Sequence, residues 1–252
     1  MCLIFVAHGV RDDYPLVVAA NRDEFHSRAA SPAGFWSDAP NVLAGRDLQA
    51  GGTWLGVDTR GRFTAITNYR GAPAKTDAPS RGALVSDFLR GEQTPDEYLS
   101  SVAARGSDYN GFSLLAGAIG RLGWYSNHGP GPQMLDAGLY GLSNHLLDTP
   151  WPKLERGKAE IGRLLDRPDV DPIALLDLLK DERIPADGEL PDTGSGLERE
   201  RILAPMFIRS QPYGTRCSTV IVIRRTGAAR LVERSFDGYG NDRGMVNHHF
   251  QI

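Results

Sequence analysis

Two cysteines in 252 residues make no disulfide framework, and a stable fold has to come from burial instead. Long apolar runs are missing too. None approaches the roughly 18 residues of a membrane-spanning helix, so no membrane span is expected. The hydrophobic start, Cys2 to Ala7, is too short for a secretory signal and has no basic residues before it. A charge bias is equally absent. Lys and Arg total 28 against 31 acidic residues, which argues against a dedicated nucleic-acid binder. The six histidines form no zinc spacing with the cysteines, so no metal centre is expected. Gly51-Gly52 precedes a strand rather than a helix and is no phosphate-binding loop. These exclusions leave a soluble, cytoplasmic, globular protein, with residues 1–252 forming a single domain around a sizeable core.

The first third reads as strands. Cys2 to Ala7 and Pro15 to Ala20 are unbroken apolar runs, as suits strands covered on both faces, with a polar turn from His8 to Tyr14 between them. Thr53–Asp58 and Arg62–Asn68 form a hairpin about Thr59-Arg60-Gly61. Helices follow: one capped by Ser80 and running to about Arg90, another opened by Thr94 and ending near Gly106. Strand patterns return at 112–119, 122–126 and 138–143. Pro152 and Asp171-Pro172 then open two more helices. Residues 184–196, rich in Pro, Gly and Asp, read as a mobile loop, and 219–224 with 229–234 form a last hairpin. This order, strands then helices then strands, is α+β and not a doubly wound parallel sheet.

Cys2 is the first candidate for chemistry. Removal of Met1 would leave a thiol and a free α-amine on one residue, with reference pKa values of about 8.5 and 8, so that one can serve as nucleophile and the other as base. The plainer alternative is an accidental Cys at a strand edge. Asn21-Arg22-Asp23-Glu24 follows the second apolar run. A carboxylate there can hold the α-amine, and a guanidinium can favour the thiolate. Cys217, among strand residues, reads as a buried thiol, and His248-His249 as an exposed chain end.

Met1-Cys2-Leu3-Ile4, Asn21-Arg22-Asp23-Glu24-Phe25 and Arg28 together resemble the Asn-Arg-Asp-Glu family, which includes the transport and Golgi organisation proteins. Matching segments continue along nearly the whole chain. They are Ala44-Gly45-Arg46-Asp47, Gly51-Gly52-Thr53-Trp54-Leu55-Gly56, Thr67-Asn68-Tyr69-Arg70, Gly141-Leu142-Ser143-Asn144, Pro150-Trp151-Pro152-Lys153 and Tyr213-Gly214-Thr215-Arg216. That family is in turn similar to the N-terminal-nucleophile hydrolases of the penicillin V acylase and bile-salt hydrolase type. The resemblance implies a four-layer α-β-β-α sandwich.

It also implies a hydrolase or acyltransferase acting on a small-molecule amide or thioester. Cys2 is then the nucleophile, Asp23 holds its amine, Arg22 favours the thiolate, and Asn68 and Asn144 stabilise the oxyanion. The wider group's Arg before the Asn is replaced here by Ala20. Its late-chain catalytic Arg has only Arg199 and Arg201 as counterparts. Arg216, Trp54 and His26 are the substrate-binding candidates, although Arg216 also reads as a structural ion pair and Trp54 as core. Catalysis would need no cofactor. The same resemblance carries an alternative, a non-catalytic haem-binding or haem-mobilising protein, in which His26, His145 or Cys2 ligates iron and an Arg holds the propionates. A scaffold in secretory-pathway organisation is a third reading, for which the sequence has no recognisable interaction segment.

Overall fold

The computed structural model describes residues 2–71 and 74–252. The chain opens with two long antiparallel strands, β1 (Cys2–Arg11) and β2 (Tyr14–Phe25). They run further than the apolar pattern predicts. A bulge between His8 and Arg11, with Gly9 at φ +61°, carries the ladder on until only Asp12-Asp13 is left as the turn. Next come β3 (Ala30–Trp36), β4 (Ala39–Asp47), β5 (Leu55–Asp58) and β6 (Phe63–Asn68). Helices α1 (Arg81–Arg90) and α2 (Pro95–Ala103) lead into β7 (Phe112–Ala118), β8 (Arg121–Ser126), β9 (Gln133–Leu135) and β10 (Gly138–Leu142). The last part holds α3 (Pro152–Leu165), α4 (Pro172–Leu178), α5 (Leu197–Leu203), β11 (Tyr213–Ile223), β12 (Ala228–Phe236) and β13 (Asp242–Gln251).

Two antiparallel sheets result, with strand orders β10-β1-β2-β11-β12-β13 and β3-β4-β5-β6-β7-β8-β9. Side-chain alternation assigns their faces. Ile4 and Val6 of β1 meet Val57, Phe63 and Ala65 of the second sheet in the central core. Leu3, Phe5 and Ala7 face the other way, onto Leu154, Ile161 and Leu175 of α3 and α4. Leu84, Phe88 and Leu99 of α1 and α2 cover the outside of the second sheet. The architecture is therefore the α-β-β-α sandwich that the resemblance implies, and β1 reads as an unbroken apolar run because both its faces are covered. Gly157 lets α3 lie directly on Phe5, where any Cβ would overlap the ring.

Local signals explain most helix starts. Thr94 and Glu97 form a reciprocal capping box, and Pro occupies the first turn of α2, α3 and α4. Ser80 occupies the N-cap of α1, but its side chain makes no capping bond. Residues 184–196 contain no helix or strand beyond one short 3-10 turn at 187–189. The chain end differs from expectation: His248 and His249 belong to the edge strand β13, and His248 Nε2 lies 2.9 Å from the Ala33 carbonyl oxygen of β3. Among the described residues no helix is long and apolar enough to cross a membrane.

Candidate active site

At the end of the sandwich where β1 begins and β6 finishes, the two sheets enclose a cavity of about 670 Å³. Cys2, Arg22, Asp23, Asn68, Trp54 and Arg216 line it, so six of the eight residues singled out from the sequence meet there. The sheet register explains how. Cys2 pairs with Arg22 on β2, Arg22 with Cys217 on β11, and Cys217 with Ser235 on β12. These residues stand in one row on the inner face. Two strand spacings, roughly 10 Å, separate Cys2 from Cys217, beyond the ~7 Å Cα limit for a disulfide. Both thiols are free and buried.

The Asn-Arg-Asp-Glu segment divides its work between the faces of β2. Asn21 points outward and is fully buried. Its amide donates to the carbonyls of Leu179 (2.9 Å) and Met206 (2.8 Å) and accepts from Ser218 (2.6 Å), fastening two loops to the sheet. Arg22 points inward, 3.5 Å from the Asp47 carboxylate, which also binds Arg28 at 2.5 Å. Asp23 Oδ1 accepts from the Thr215 hydroxyl at 2.7 Å, and the Tyr213 hydroxyl donates to the Asp23 carbonyl at 2.8 Å. A bulge at Arg216 brings this arrangement into register. Burial raises the Asp23 carboxyl above its ordinary range, while Lys153, the Thr215 hydroxyl and Arg70 pull it back.

The thiol differs from expectation. Burial pushes Cys2 up to about 11, Asp23 adds to the rise, and the pull of Arg22 does not compensate. Arg22 favours the thiolate as expected but by less than burial opposes it, so attack by Cys2 needs a base to take its proton as the bond forms. Removal of Met1, which would free an amine for that task, concerns a residue outside those described.

Asn68 and Asn144 are in direct contact. Asn144 Nδ2 donates to Asn68 Oδ1 at 2.9 Å and to the Asn68 carbonyl at 3.2 Å. Both protons of the Asn144 amide are thus used within the protein, and Asn144, at 0% exposure, does not line the cavity. With Asn68 Oδ1 engaged as the acceptor, Nδ2 is the end of that amide with hydrogen bonds still to donate among the described residues. Asn68 is the candidate oxyanion donor and Asn144 its positioning residue. Asn144 holds a left-handed backbone, φ +54°, uncommon for a non-glycine residue and frequent where a site imposes it.

Of the substrate-binding candidates, Trp54 joins the cavity wall to the central core. Arg216 also lines the cavity, but it donates to the carbonyls of Phe25 (2.8 Å) and Arg28 (3.0 Å), so it clamps the turn after β2 and forms no salt bridge among the described residues. His26 is not brought to the cavity. Its Nε2 lies 3.0 Å from the Ser210 carbonyl oxygen, under Gly214 and Gly238. His145 is likewise engaged elsewhere, between the Tyr69 and Thr149 hydroxyls. Arg199 and Arg201 lie outside the cavity, Arg201 paired with Asp187 at 2.5 Å.

Two residues escaped the sequence reading. Lys153, in the first turn of α3, is 3% exposed and donates to the Leu203 carbonyl at 2.9 Å. Burial, helped by Arg70, pulls it down to about 7, against the opposing attraction of Asp23, Glu200 and Cys2. Its only sequence signal is the Pro150-Trp151-Pro152-Lys153 segment. Arg81 lines the cavity at the start of α1 and donates to the Gly111 carbonyl at 2.8 Å, the same oxygen that accepts from Tyr69 N. Burial lowers Arg81, and Cys2, when ionised, is the leading group that counters the fall. Nothing in the helix pattern of α1 distinguishes Arg81 from a surface arginine. Among the described residues no cluster of His, Cys, Asp and Glu is arranged to hold a metal ion.

Comparison with solved structures finds this fold elsewhere. A Caenorhabditis elegans N-acylethanolamine-hydrolyzing acid amidase ortholog superposes with TM-score 0.52 at 11% identity, over 88% of this chain and 92% of that one. The C2A mutant of conjugated bile acid hydrolase from Clostridium perfringens superposes with TM-score 0.53 at 9% identity, over 98% of this chain and 92% of that one. Among curated sequences, the Transport and Golgi organization protein 2 homolog of Bos taurus is 38% identical over 279 aligned positions, covering 100% of this chain and 99% of its own. The family model described as Transport and Golgi organisation 2 matches residues 1–238. The match to the model over residues 1–238, joined to a relative 38% identical across the whole chain, makes this chain a member of the Transport and Golgi organisation 2 family.

Proposed function

We propose that the protein is an N-terminal-cysteine hydrolase or acyltransferase acting on amide or thioester acyl substrates. The observation that carries this reading is the meeting of Cys2, Asp23 and Asn68 at one cavity, at the head of β1. Once Met1 is gone, the Cys2 thiol attacks the substrate carbonyl carbon and its proton passes to the α-amine of the same residue. Asp23, fixed by Thr215, holds that amine in place. Asn68, oriented by Asn144, donates to the oxygen as it becomes negative; such donors are commonly worth about 100- to 1000-fold in rate. Collapse expels the amine or thiol, and water or an acceptor amine then releases the acyl group from Cys2. The names of the two structural neighbours, an amidase and a bile acid hydrolase, support amide chemistry on this fold.

Haem fits the cavity less well. Of its three candidate iron ligands, only Cys2 lines the cavity. The two readings separate in one experiment: turnover of a panel of N-acyl amides and acyl thioesters, run beside hemin titration. Turnover that disappears in Cys2→Ala is the expected result. No turnover, together with a saturable Soret shift lost in Cys2→Ala, would overturn the enzyme reading.

A further inference from the structure

Thr67, the penultimate residue of β6, is 1% exposed, and its hydroxyl has no hydrogen-bond partner among the described residues. A buried hydroxyl without a partner is unfavourable and calls for an explanation. Thr67 lines the cavity. Alternation along β6 places it on the face of Phe63 and Ala65, which meets Ile4 and Val6 across the central core, and β1 and β6 pack against each other there. Following β1 back from Val6 and Ile4 on that same face leads to Cys2. Following β6 forward from Ala65 leads to Thr67. The cavity is where the two series meet, with Asn68 the next residue along the chain.

We propose that Thr67 is a catalytic residue whose hydroxyl donates a hydrogen bond to the carbonyl oxygen of the bound acyl group, beside the amide of Asn68. The hydroxyl finds its partner only when substrate is present, which accounts for the missing bond in the unliganded protein. This inference rests on Cys2 being the nucleophile. In the step concerned, the Cys2 sulfur forms a bond to the carbonyl carbon, its proton moves to the α-amine, and the carbonyl π pair moves to oxygen. Thr67 and Asn68 meet that charge, and collapse re-forms the carbonyl as the leaving group departs with the other bonding pair.

The test separates acylation from alkylation. Acylation of Cys2 by a p-nitrophenyl ester passes through an oxyanion; alkylation by iodoacetamide does not. Thr67→Val, which keeps shape and removes the hydroxyl, should slow acylation by about 10- to 100-fold. It should leave the alkylation rate unchanged, and the thermal midpoint unchanged or raised because no folded-state bond is lost. Thr67→Ser should retain most of the acylation rate. Equal acylation in Thr67→Val and wild type would overturn the role of Thr67 alone. A fall in alkylation matching the fall in acylation, or a lowered thermal midpoint, would assign Thr67 to structure. Wild-type protein that is alkylated at Cys2 but never acylated would remove the nucleophile reading and this inference with it.

Discussion

Lys153 offers a quantitative test of the buried charge network. Its amine is held near pKa 7 in the fold, against about 10.5 in an unfolded chain. Below pH 7 both states carry the proton, and the lysine adds no pH dependence. Above it the unfolded chain binds a proton that the folded chain has released, so stability rises with pH, by up to about 1.36 kcal/mol per unit. The window closes near pH 9. There the thiols of an unfolded Cys2 and Cys217 ionise, whereas both folded thiols stay protonated, and their two opposing slopes outweigh that of the lysine, so stability falls again. Between roughly pH 7 and 8.5 the lysine therefore contributes an increase of about 2 kcal/mol. Lys153→Met abolishes that increase. It also leaves the Leu203 carbonyl without its donor, at a cost of about 1 kcal/mol that does not depend on pH. Urea unfolding followed by tryptophan fluorescence across the window reads the slope. Asp23 loses an attractive cation in the same variant, so the acidic limb of the acylation profile should move to higher pH. A wild-type stability flat across the window, or a slope that survives in Lys153→Met, would refute the buried-lysine argument.

Other consequences follow from particular contacts. Asn144→Gly keeps the left-handed backbone and removes only the amide that orients Asn68, so acylation of Cys2 should fall by about 10-fold or more with little loss of stability. An unchanged rate would show that Asn68 needs no such support. Gly157→Ala drives a methyl into the Phe5 ring and should destabilise the protein by about 1–3 kcal/mol, seen as a lower thermal midpoint. A midpoint equal to wild type would mean that α3 is free to shift on β1.

Much of this architecture could be read along the chain. The unbroken run from Leu3 to Ala7 signals a strand covered on both faces, and Thr94 with Glu97 marks a helix start. Five elements went unread: β3, β4, β9, β13 and α5. β3 contains Ser31-Pro32 and buries only Ala33 and Trp36, so neither its composition nor its alternation reads as a strand. β13 lies at a sheet edge with an exposed face, where apolar residues have no reason to accumulate. α5 is seven residues long and follows a Pro- and Gly-rich loop. At the site, Cys2 stands out because loss of Met1 would join a thiol and an amine on one residue, Asp23 because a polar segment follows the second apolar run, and Asn68 only through the family resemblance. Burial and cross-chain contacts were not legible. The rise of the Cys2 thiol, the shift of Lys153 and the seclusion of Asn144 all depend on which distant elements close over them.

The central claim is that Cys2 is an N-terminal nucleophile. Its most direct test is the mass of the protein, purified from a host competent to remove initiator methionine, after brief exposure to a p-nitrophenyl ester, with the adduct located by peptide mapping. The account predicts a chain beginning at Cys2, carrying one acyl group on that residue and none on Cys217. A chain that retains Met1, an adduct on Cys217, or no adduct on Cys2 would contradict it.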